Sequence, residues 1–503
     1  MSFWKRRKLR NQLEIAQLQA RLNAINRYSG ADRDSRTMRA WDTYQNDANG
    51  DLLPDLPALR ERSRDLEQNN PIAKAVFNTK TSNVIGRGLT YQSLVDREFL
   101  GLTDEQAEAF NVQKEREWSR FWESVSVDVC QQLNGHMLLE QIYKQFLVNG
   151  ESLVIVRQGD TSVKRPYRTC FQVVEPDQLC NPNDNMDTPT LAGGIGTDSN
   201  GRPIRYHFLS QHPGVMTGAV KEWVSIESVG ENTGLRKVIH VYRKTRPGQS
   251  RGVPDLHAVI EPLRLLGEYT KAELMRSVVN TLVALVIQTP EGNPDVDFDR
   301  LTDETGQTKA DKDMKLTAGA VLALAKGETA MAFDPKAPNS AYEGFFAASL
   351  KQVGMGVNIP FEILLKMFST SYTASKAARL EFWRWVVAER RFLVDIAMAD
   401  IHDWFMYEAV TTGRINAPGY FSDANIRAAY DKYEFRGPTQ GHLNETDEID
   451  AAVKRIDNGL STLAAETAEL TGGDWAVNHK QLAFERKKRV EDGLFESMPN
   501  NNK

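Results

Sequence analysis

Residues 238–287 decide the fold, and they read VIHVYRKTRPGQSRGVPDLHAVIEPLRLLGEYTKAELMRSVVNTLVALVI. The first five residues form a β-branched run of the kind typical of a strand. The turn-rich segment RPGQSRGVP at 246–254 ends that strand. Pro254 has the fixed φ of a first helical residue, and Asp255 suits the positive end of a helix dipole. The pattern therefore predicts a strand, a tight connection and a helix.

The predicted helix is long and amphipathic. It runs from Leu263 to Ile287, after a kink at Pro262. Its apolar residues recur at three- and four-residue steps, and its charged residues lie mostly on another side. At about 1.5 Å per residue the helix is about 37 Å long. It is therefore predicted to act as a strut.

Several separate blocks of sequence carry a family resemblance. RYSGA occupies 27–31, YEGFFAASLKQVGMGVNIPFEILL occupies 342–365 and SYTASKAARLEFWRWVVAERR occupies 371–391. With RPGQSRGVP and the helix after it, these blocks resemble the portal proteins of tailed bacteriophages, in particular the lambda-like portal family. The resemblance covers most of the chain. It depends on the order of the blocks and involves no short metal or nucleotide motif.

The resemblance implies an α+β, multidomain subunit with long stem and wing helices, an inserted β-rich region and a helical C-terminal crown. The length of 503 residues also favours two to four domains or layers. We divide the chain into an N-terminal basic arm and loop (1–56), a helical wing part (57–130), stem helices flanking a β-rich, clip-like region (131–290), a loop with short strands and a candidate tunnel loop (291–340), long wing helices (341–412), and a crown with a C-terminal tail (413–503).

Composition limits the classes of partner. The chain has 62 Lys and Arg against 67 Asp and Glu, a formal net charge of -5, so no global basic field indicates nucleic-acid binding. A DNA partner would therefore be contacted locally. Cys130, Cys170 and Cys180 show no CxxC or Cys/His zinc spacing, which favours a reduced, cytosolic setting. No run of 18 apolar residues occurs, so no membrane span is predicted.

The N-terminal segment combines a basic head, KRRKLR at 5–10, with an apolar repeat typical of an amphipathic helix. No apolar h-region follows the basic head, so the segment is not predicted to be a secretory signal. One interpretation is an arm that contacts a neighbouring subunit, a scaffold or nucleic acid. The other is a solvated helix end.

Helices and strands alternate along the rest of the chain. Helices are predicted on both sides of Asn70 and Pro71 and twice more between 103 and 149, and a last long helix runs from Ser371 or Thr373 to Val410. A further helical pattern follows at 448–470. Strands are predicted at SLVIVRQ (152–158) and TCFQVVEP (169–176), in a hairpin of GGIGTD (193–198) with PIRYHFL (203–209), and in AVLALA (320–325) with TAMAFD (329–334).

Motifs of catalysis are missing from the sequence. It contains no GxxxxGK[ST], HExxH or GxSxG, and its eight histidines are scattered. The glycines at 193–196 open no helix, so they are interpreted as a turn. His240 and Asp255 do not make a catalytic pair, because an isolated strand histidine is more often a core or interface residue. We predict no catalytic residue, no cofactor and no metal.

Six residues are predicted to lie at subunit interfaces. One group is a small basic cluster, for which an interface ion pair is favoured over a DNA contact. The other group is aromatic and lies on the long helix, where burial between elements or between subunits is expected. The residues are Arg60, Arg62 and Arg64 in the first group and Trp383, Trp385 and Trp404 in the second.

Four lysines are candidates for the DNA channel, because the resemblance implies a loop that faces a DNA tunnel. Lys309, Lys312 and Lys315 lie in the aperiodic stretch 295–316, and Lys326 lies at a turn. Which of the two segments forms the loop stays open. For the first three lysines, a solvated charge run on the outer wall is the alternative.

The resemblance implies a structural, non-enzymatic role. The expected assembly is a ring, a dodecamer, at one vertex of a phage capsid in the virion, put together in the host cytoplasm. Double-stranded DNA would pass through it during packaging and ejection. Its other expected partners are the terminase large subunit, the major capsid and scaffold proteins, and head-completion or tail adaptor proteins.

Two alternatives remain: another ring-forming virion connector, or a DNA-packaging enzyme subunit. The absence of a phosphate loop and of a carboxylate-metal cluster disfavours the second.

Overall fold

A computed structural model describes residues 12–18, 31, 36–160, 162–163, 165–215, 221–282, 285–288, 329–332, 342–367, 372–441 and 445–494. The chain divides into two compact units, Met1–Asp51 and Leu52–Lys503. In the first unit, residues 12–18 are helical and exposed, in agreement with the predicted amphipathic helix. A short helix, α1 (Ala48–Leu52), lies at the boundary.

The second unit begins with two helices that meet at Asn70. α2 (Leu56–Asn69) ends there, and α3 (Pro71–Val84) begins with proline at its first position. The Asn70 side chain accepts hydrogen bonds from the backbone N–H groups of Ile72 and Ala73, which caps α3. The prediction of helices on both sides of Asn70 is confirmed.

Three helices follow: α4 (Arg97–Leu100), α5 (Asp104–Trp122) and α6 (Gly135–Asn149). Thr103 and Gln106 form a reciprocal capping box at the start of α5. α6 ends at Gly150, whose φ of 86° is in the left-handed region that favours glycine. Both predicted helices between 103 and 149 are therefore present.

The described strands are β1 (Thr90–Ser93), β2 (Glu151–Gln158), β3 (Thr169–Val174), β4 (Leu191–Ala192), β5 (Ile195–Thr197), β6 (Pro203–Leu209), β7 (Trp223–Glu227), β8 (Val238–Tyr242), β9 (Leu285–Gln288), β10 (Thr329–Ala332) and β11 (Tyr433–Arg436). They form small antiparallel sheets. A three-stranded sheet has the order β3-β2-β8, and a four-stranded sheet has the order β4-β5-β6-β7. β1 pairs with β11, and β9 pairs with β10. The hairpin predicted through Asn200 and Gly201 is confirmed as β5 and β6.

The central helix differs from its prediction at both ends. α7 (Ile260–Leu282) begins after Pro254, and Pro262 lies in its first turn, where a missing N–H removes no intrahelical hydrogen bond. The predicted end at Ile287 is wrong, because Leu285–Gln288 forms β9, antiparallel to β10 (Thr329–Ala332). β10 lies within the predicted strand TAMAFD, whereas its predicted partner AVLALA lies outside the described residues. A partner distant in sequence thus overrides the helical periodicity.

The long helix near the C-terminus is present, with an irregular turn inside it. α8 (Tyr342–Gly356) and α9 (Phe361–Leu365) precede α10 (Tyr372–Leu393). A π-helical turn, Val394–Met398, joins α10 to α11 (Ala399–Thr411), so the helical run matches the predicted extent. Of the two predicted caps, Ser371 lies outside the described residues and Thr373 lies inside the helix.

Four more helices follow in the part of the chain that the structure describes: α12 (Ala424–Tyr430), α13 (Glu445–Asp457), α14 (Leu463–Thr471) and α15 (Trp475–Glu491). The single pattern predicted at 448–470 is therefore two helices. Among the described residues, no helix has the length and apolar character needed to cross a membrane.

α7 packs against two helices, α2 and α8. Tyr269 of α7 stacks on Tyr342 of α8 with ring centroids 5.6 Å apart, and at the other end Gly356 lies against Val259. α7 and α8 are therefore antiparallel, and residues 283–341 connect them. Within 131–290, the part predicted to hold stem helices flanking a β-rich, clip-like region, α6 and α7 lie on either side of strands β2–β8 along the chain. Their roles as stem and clip stay predictions.

Candidate functional site

The segment RPGQSRGVP is anchored by a buried ion-pair cluster, which we call the Glu151 hub: Glu151, Arg60, Arg251 and His240. Glu151 is the first residue of β2 and is fully buried. Its Oε1 accepts hydrogen bonds from Arg60 Nη2 at 2.5 Å and from Arg251 Nε at 2.8 Å. His240 Nε2 donates to Glu151 Oε2 at 2.9 Å. The hub therefore joins α2, β2, β8 and the loop before α7.

Arg251 extends the hub to the region of the four-stranded sheet. Its Nη1 donates to the carbonyl oxygens of Leu179 at 2.8 Å and Gly193 at 2.6 Å, and its Nη2 donates to that of Pro176 at 2.8 Å. Because these carbonyls and Glu151 satisfy the guanidinium, its burial is compensated.

The hub is ionised at neutral pH. Burial by itself would raise the pKa of Glu151, but the charges of Arg251 and Arg60 outweigh it and hold that pKa well below its usual 4.5. Burial lowers the pKa of Arg60 to about 10, so Arg60 stays protonated. Burial also lowers the pKa of His240, which favours a neutral ring. The cluster thus contains two cations around one fully buried carboxylate.

Two glycines allow the loop to approach β2. Gly252 N donates to Glu151 Oε2 at 3.0 Å, and a Cβ at Gly252 would lie 2.0 Å from the carbonyl oxygen of Gly150. A Cβ at Gly150 would in turn lie 2.3 Å from the carbonyl carbon of Val253. This close backbone contact explains why residue 252, in the RGVP part of the segment, is a glycine.

We expect Gly252→Ala to lower the free energy of unfolding by about 1–3 kcal/mol, because the methyl group must push apart two backbone segments. Gly344→Ala is the matched control. Gly344 lies within α8, where an added Cβ would meet no atom within 4 Å, so alanine there should raise stability by about 0.5–1 kcal/mol. Denaturant titration of both variants measures the contrast, and equal stability of the two would contradict the close contact.

A cluster beside the hub is filled by an arginine and does not fit a metal. In the described part of the chain, Glu175, Asp177 and His212 place ligand atoms within 4.8 Å of one another. Arg64 already donates to Asp177 Oδ2 at 2.5 Å and to Glu175 Oε2 at 3.3 Å. His212 Nδ1 accepts from Gly214 N at 3.0 Å, so the neutral ring carries its proton on Nε2, which faces Asp177. The group is an ion-pair cluster.

The three predicted interface arginines have different surroundings. Arg60 is buried and belongs to the hub, where it pairs with Glu151 of the same chain. Arg64 is partly buried in the cluster with Asp177. Arg62 is exposed. The interface role predicted for Arg60, Arg62 and Arg64 stays a prediction.

The three tryptophans make contacts inside the chain. Trp404 is buried and its Nε1 donates to the carbonyl oxygen of Arg236 at 2.6 Å. Lys80 Nζ lies 4.7 Å from the centroid of a Trp385 ring, and the Arg390 guanidinium lies 5.5 Å from that of a Trp383 ring. Trp404 is thus buried between elements of its own chain, which is the first of the two environments predicted for these tryptophans. Trp383 and Trp385 are half-buried, and their interface role stays a prediction.

The four candidate channel lysines, Lys309, Lys312, Lys315 and Lys326, lie outside the described residues. Sequence reasoning missed Glu151 and Arg251, the two centres of the hub. The signals were present but weak: an arginine inside a turn-rich motif, and a glutamate directly after the glycine that ends a helix.

The second half of α7 has an apolar surface that α8 does not cover. Tyr342, the first residue of α8, donates through its hydroxyl to Thr270 Oγ1 at 3.2 Å. Residues 271–282 therefore extend past the start of α8, over about 18 Å at the usual rise. On this part of α7, Leu274, Met275 and Val278 are 64%, 63% and 51% exposed. Three neighbouring apolar side chains that are this exposed indicate a contact surface.

Comparison with known proteins gives a consistent group of relatives. The family described as "Phage portal protein, lambda family" matches residues 34–390. Portal protein B of Escherichia phage lambda is 24% identical over 477 residues, which cover 91% of this chain and 88% of that protein. The portal protein of Escherichia phage N15 is 24% identical over 479 residues, which cover 91% and 89%.

Among solved structures, a chain from the neck of a native GTA particle computed with C12 symmetry has a TM-score of 0.46 and 11% identity. The match covers 82% of this chain and 92% of that one.

Proposed function

We propose, from the premise that this chain belongs to the lambda family of phage portal proteins, that it forms a closed ring around a channel for double-stranded DNA. The portal role itself follows from family membership. The observation that carries ring closure and the channel is the exposure of three apolar side chains on α7, Leu274, Met275 and Val278, on a helix that packs against α2 and α8.

A ring explains that surface physically. Subunits in a closed ring meet through two different patches of the same chain, so a helix can be covered by its neighbour. Full burial of an apolar side chain of this size contributes about 1.5–3 kcal/mol. Three such residues, repeated at every subunit boundary, would favour assembly of the ring over the separate chain.

The expected partners follow from the portal role. We propose a ring of twelve copies at one capsid vertex of the virion, assembled in the host cytoplasm. It would contact the major capsid and scaffold proteins, dock the terminase large subunit during packaging, and later bind head-completion or tail adaptor proteins. The chain itself would hydrolyse no ATP, in keeping with the absence of a phosphate loop from the sequence.

DNA contacts in such a channel should be weak and electrostatic, because each strong phosphate contact adds a barrier to sliding. The net charge of -5 agrees with weak binding of DNA by the chain. Lys309, Lys312, Lys315 and Lys326 remain the proposed channel lysines.

The test is the mass of the assembly. Native mass spectrometry of the parent chain should show a closed ring, and the variant Leu274→Ser, Met275→Ser, Val278→Ser should shift it to single chains or small oligomers. The substitutions remove apolar area that is exposed in the separate chain, so the fold should be retained. Circular dichroism and thermal unfolding check that point.

The control carries three serine substitutions at exposed apolar residues that lie apart from one another: Phe99, Val163 and Met186. Scattered residues of this kind are normal on protein surfaces, so the control should keep the ring. A parent chain that stays monomeric at all concentrations would refute the ring. A ring that survives the α7 substitutions would show that another surface holds the subunits.

A further inference from the structure

Helix α15 (Trp475–Glu491) has no buried residue. Its start is fixed, because Asp474 caps the helix and also accepts a hydrogen bond from Gln92 Nε2 at 2.8 Å. Most helices in proteins are stabilised by the packing of an apolar face. On α15, however, Val477 and Phe484 are 61% and 60% exposed. The apolar side chains of this helix are therefore available to a partner.

Val477 and Phe484 share one side of α15 with a lysine. Residues seven and eleven positions apart lie on the same side of a helix, so Lys488 continues the line that begins at Val477. Lys488 is exposed and has no ion-pair partner among the described residues. We call Val477, Phe484 and Lys488 the α15 stripe. The whole of α15 contains five basic and two acidic residues.

A stripe of the opposite charge lies on α13 (Glu445–Asp457). Glu445, Ile449, Val453 and Asp457 follow one another at four-residue steps, which places them along one side of the helix. Ile449 and Val453 are 53% and 49% exposed. Both carboxylates are exposed, and neither has an ion-pair partner in the described part of the chain. We call these four residues the α13 stripe. The whole of α13 contains five acidic and two basic residues.

Another side of α13 contacts its own chain. Ala452 is buried, and Arg455 Nη2 donates to Glu466 Oε2 of α14 at 2.5 Å. Arg455 lies two residues after Val453, and residues at this spacing do not share a side of a helix. The contact with α14 therefore leaves the α13 stripe uncovered.

We propose that the α15 stripe of one copy packs on the α13 stripe of the next copy, an inference that rests on the proposed ring. Subunits of a closed ring meet through two different patches of the same chain. The two stripes are such a pair: both are apolar, their helices have opposite charge, and neither stripe covers the other within one chain, because their apolar residues are all exposed.

The stripes also match in length. At the usual rise, Glu445 to Asp457 spans about 18 Å and Val477 to Lys488 spans about 17 Å. When the apolar residues are placed opposite one another, Lys488 falls beside Asp457 if the helices are parallel and beside Glu445 if they are antiparallel. A second copy is therefore the expected occupant, since the chain itself carries the surface that fits each stripe.

The experiment is a charge swap, followed by native mass spectrometry over a range of protein concentrations. One variant, Glu445→Lys with Asp457→Lys, reverses the α13 stripe. The other, Lys487→Glu with Lys488→Glu, reverses Lys488 and its neighbour on α15. Each should raise the concentration at which half of the chains are in rings by about tenfold or more, because like charges then face each other. All four substitutions together restore opposite charges and the parent's net charge, so that concentration should return to within about threefold of the parent's.

The control, Glu140→Lys with Glu231→Lys, changes the net charge as much as the α13 variant does, at two exposed glutamates outside the stripes. It should keep the parent's ring. Equal loss in the control, or a swap that fails to restore the ring, would overturn the proposal. Parent rings that tolerate both reversals would refute this contact alone, whereas a parent that forms no ring would refute the proposed function and this contact together.

Crosslinking identifies the residues that α15 faces. A photoreactive phenylalanine analogue replaces Phe484 in rings assembled from equal amounts of isotopically light and heavy chains. The crosslinks should join position 484 of a light chain to residues 445–457 of a heavy chain, and the reverse. Crosslinks confined to single chains, or to peptides outside α13, would contradict the contact.

Discussion

Glu151→Ala is expected to lower the free energy of unfolding by about 3–5 kcal/mol, because it leaves Arg60 and Arg251 buried without their shared anion. Both guanidinium groups lie within hydrogen-bond distance of the Glu151 carboxylate, and both are buried. The measurement is the denaturant midpoint of the purified chain. Glu175→Gln is the control, since Glu175 is partly exposed and lies 3.3 Å from Arg64. It should change stability by about 0–1 kcal/mol.

The pH dependence of the same site separates charge from packing. The pKa of Glu151 is held well below 4.5 in the folded chain, so its ionised form contributes stability that is present above about pH 4.5 and is lost as pH falls through the lower folded value. Glu151→Gln keeps the shape and cannot titrate. The stability difference between parent and Glu151→Gln should therefore be constant near neutral pH and shrink in acid. A difference that stays constant down to the acid transition would show that the carboxylate charge is not stabilising.

Trp122→Ala is expected to cost about 3–5 kcal/mol, since it removes one of the largest fully buried side chains. Trp122 stacks on Trp118 with centroids 5.3 Å apart, and it lies so close to Gly135 that a Cβ there would be 2.0 Å from its ring. Because α5 and α6 hold the neighbouring residues in place, these residues cannot move into the space that the Trp122 side chain leaves. Trp475→Ala is the control, because Trp475 lies at the surface of α15 and contacts His479; it should cost less than about 1 kcal/mol.

A ligand can test whether the space left at Trp122 stays open. Apolar cavities of this kind bind small aromatic molecules. Indole should therefore raise the unfolding temperature of Trp122→Ala with increasing concentration and leave that of the parent and of Trp475→Ala unchanged. If Trp122→Ala matches the parent in stability, the stacked aromatic core between α5 and α6 is not the packed unit described.

Local signals in the sequence were sufficient for most elements. The proline after Asn70 and the glycine at 150 each mark a helix end through contacts within a few residues. The Asn200 and Gly201 turn likewise identified its hairpin. The family resemblance also came from sequence alone, because it depends on the order of blocks along the chain, and the match over residues 34–390 confirms it.

What the tertiary structure decided depends on partners that are distant in sequence. Leu285–Gln288 continues the helical apolar pattern, yet it is a strand because Thr329–Ala332 supplies the matching backbone hydrogen bonds. Arg60 was predicted from the sequence to form an ion pair at a subunit interface, and the folded chain buries it beside Glu151, 91 positions later. Periodicity reports which side of an element is apolar, and only the packed chain determines which residue lies opposite it.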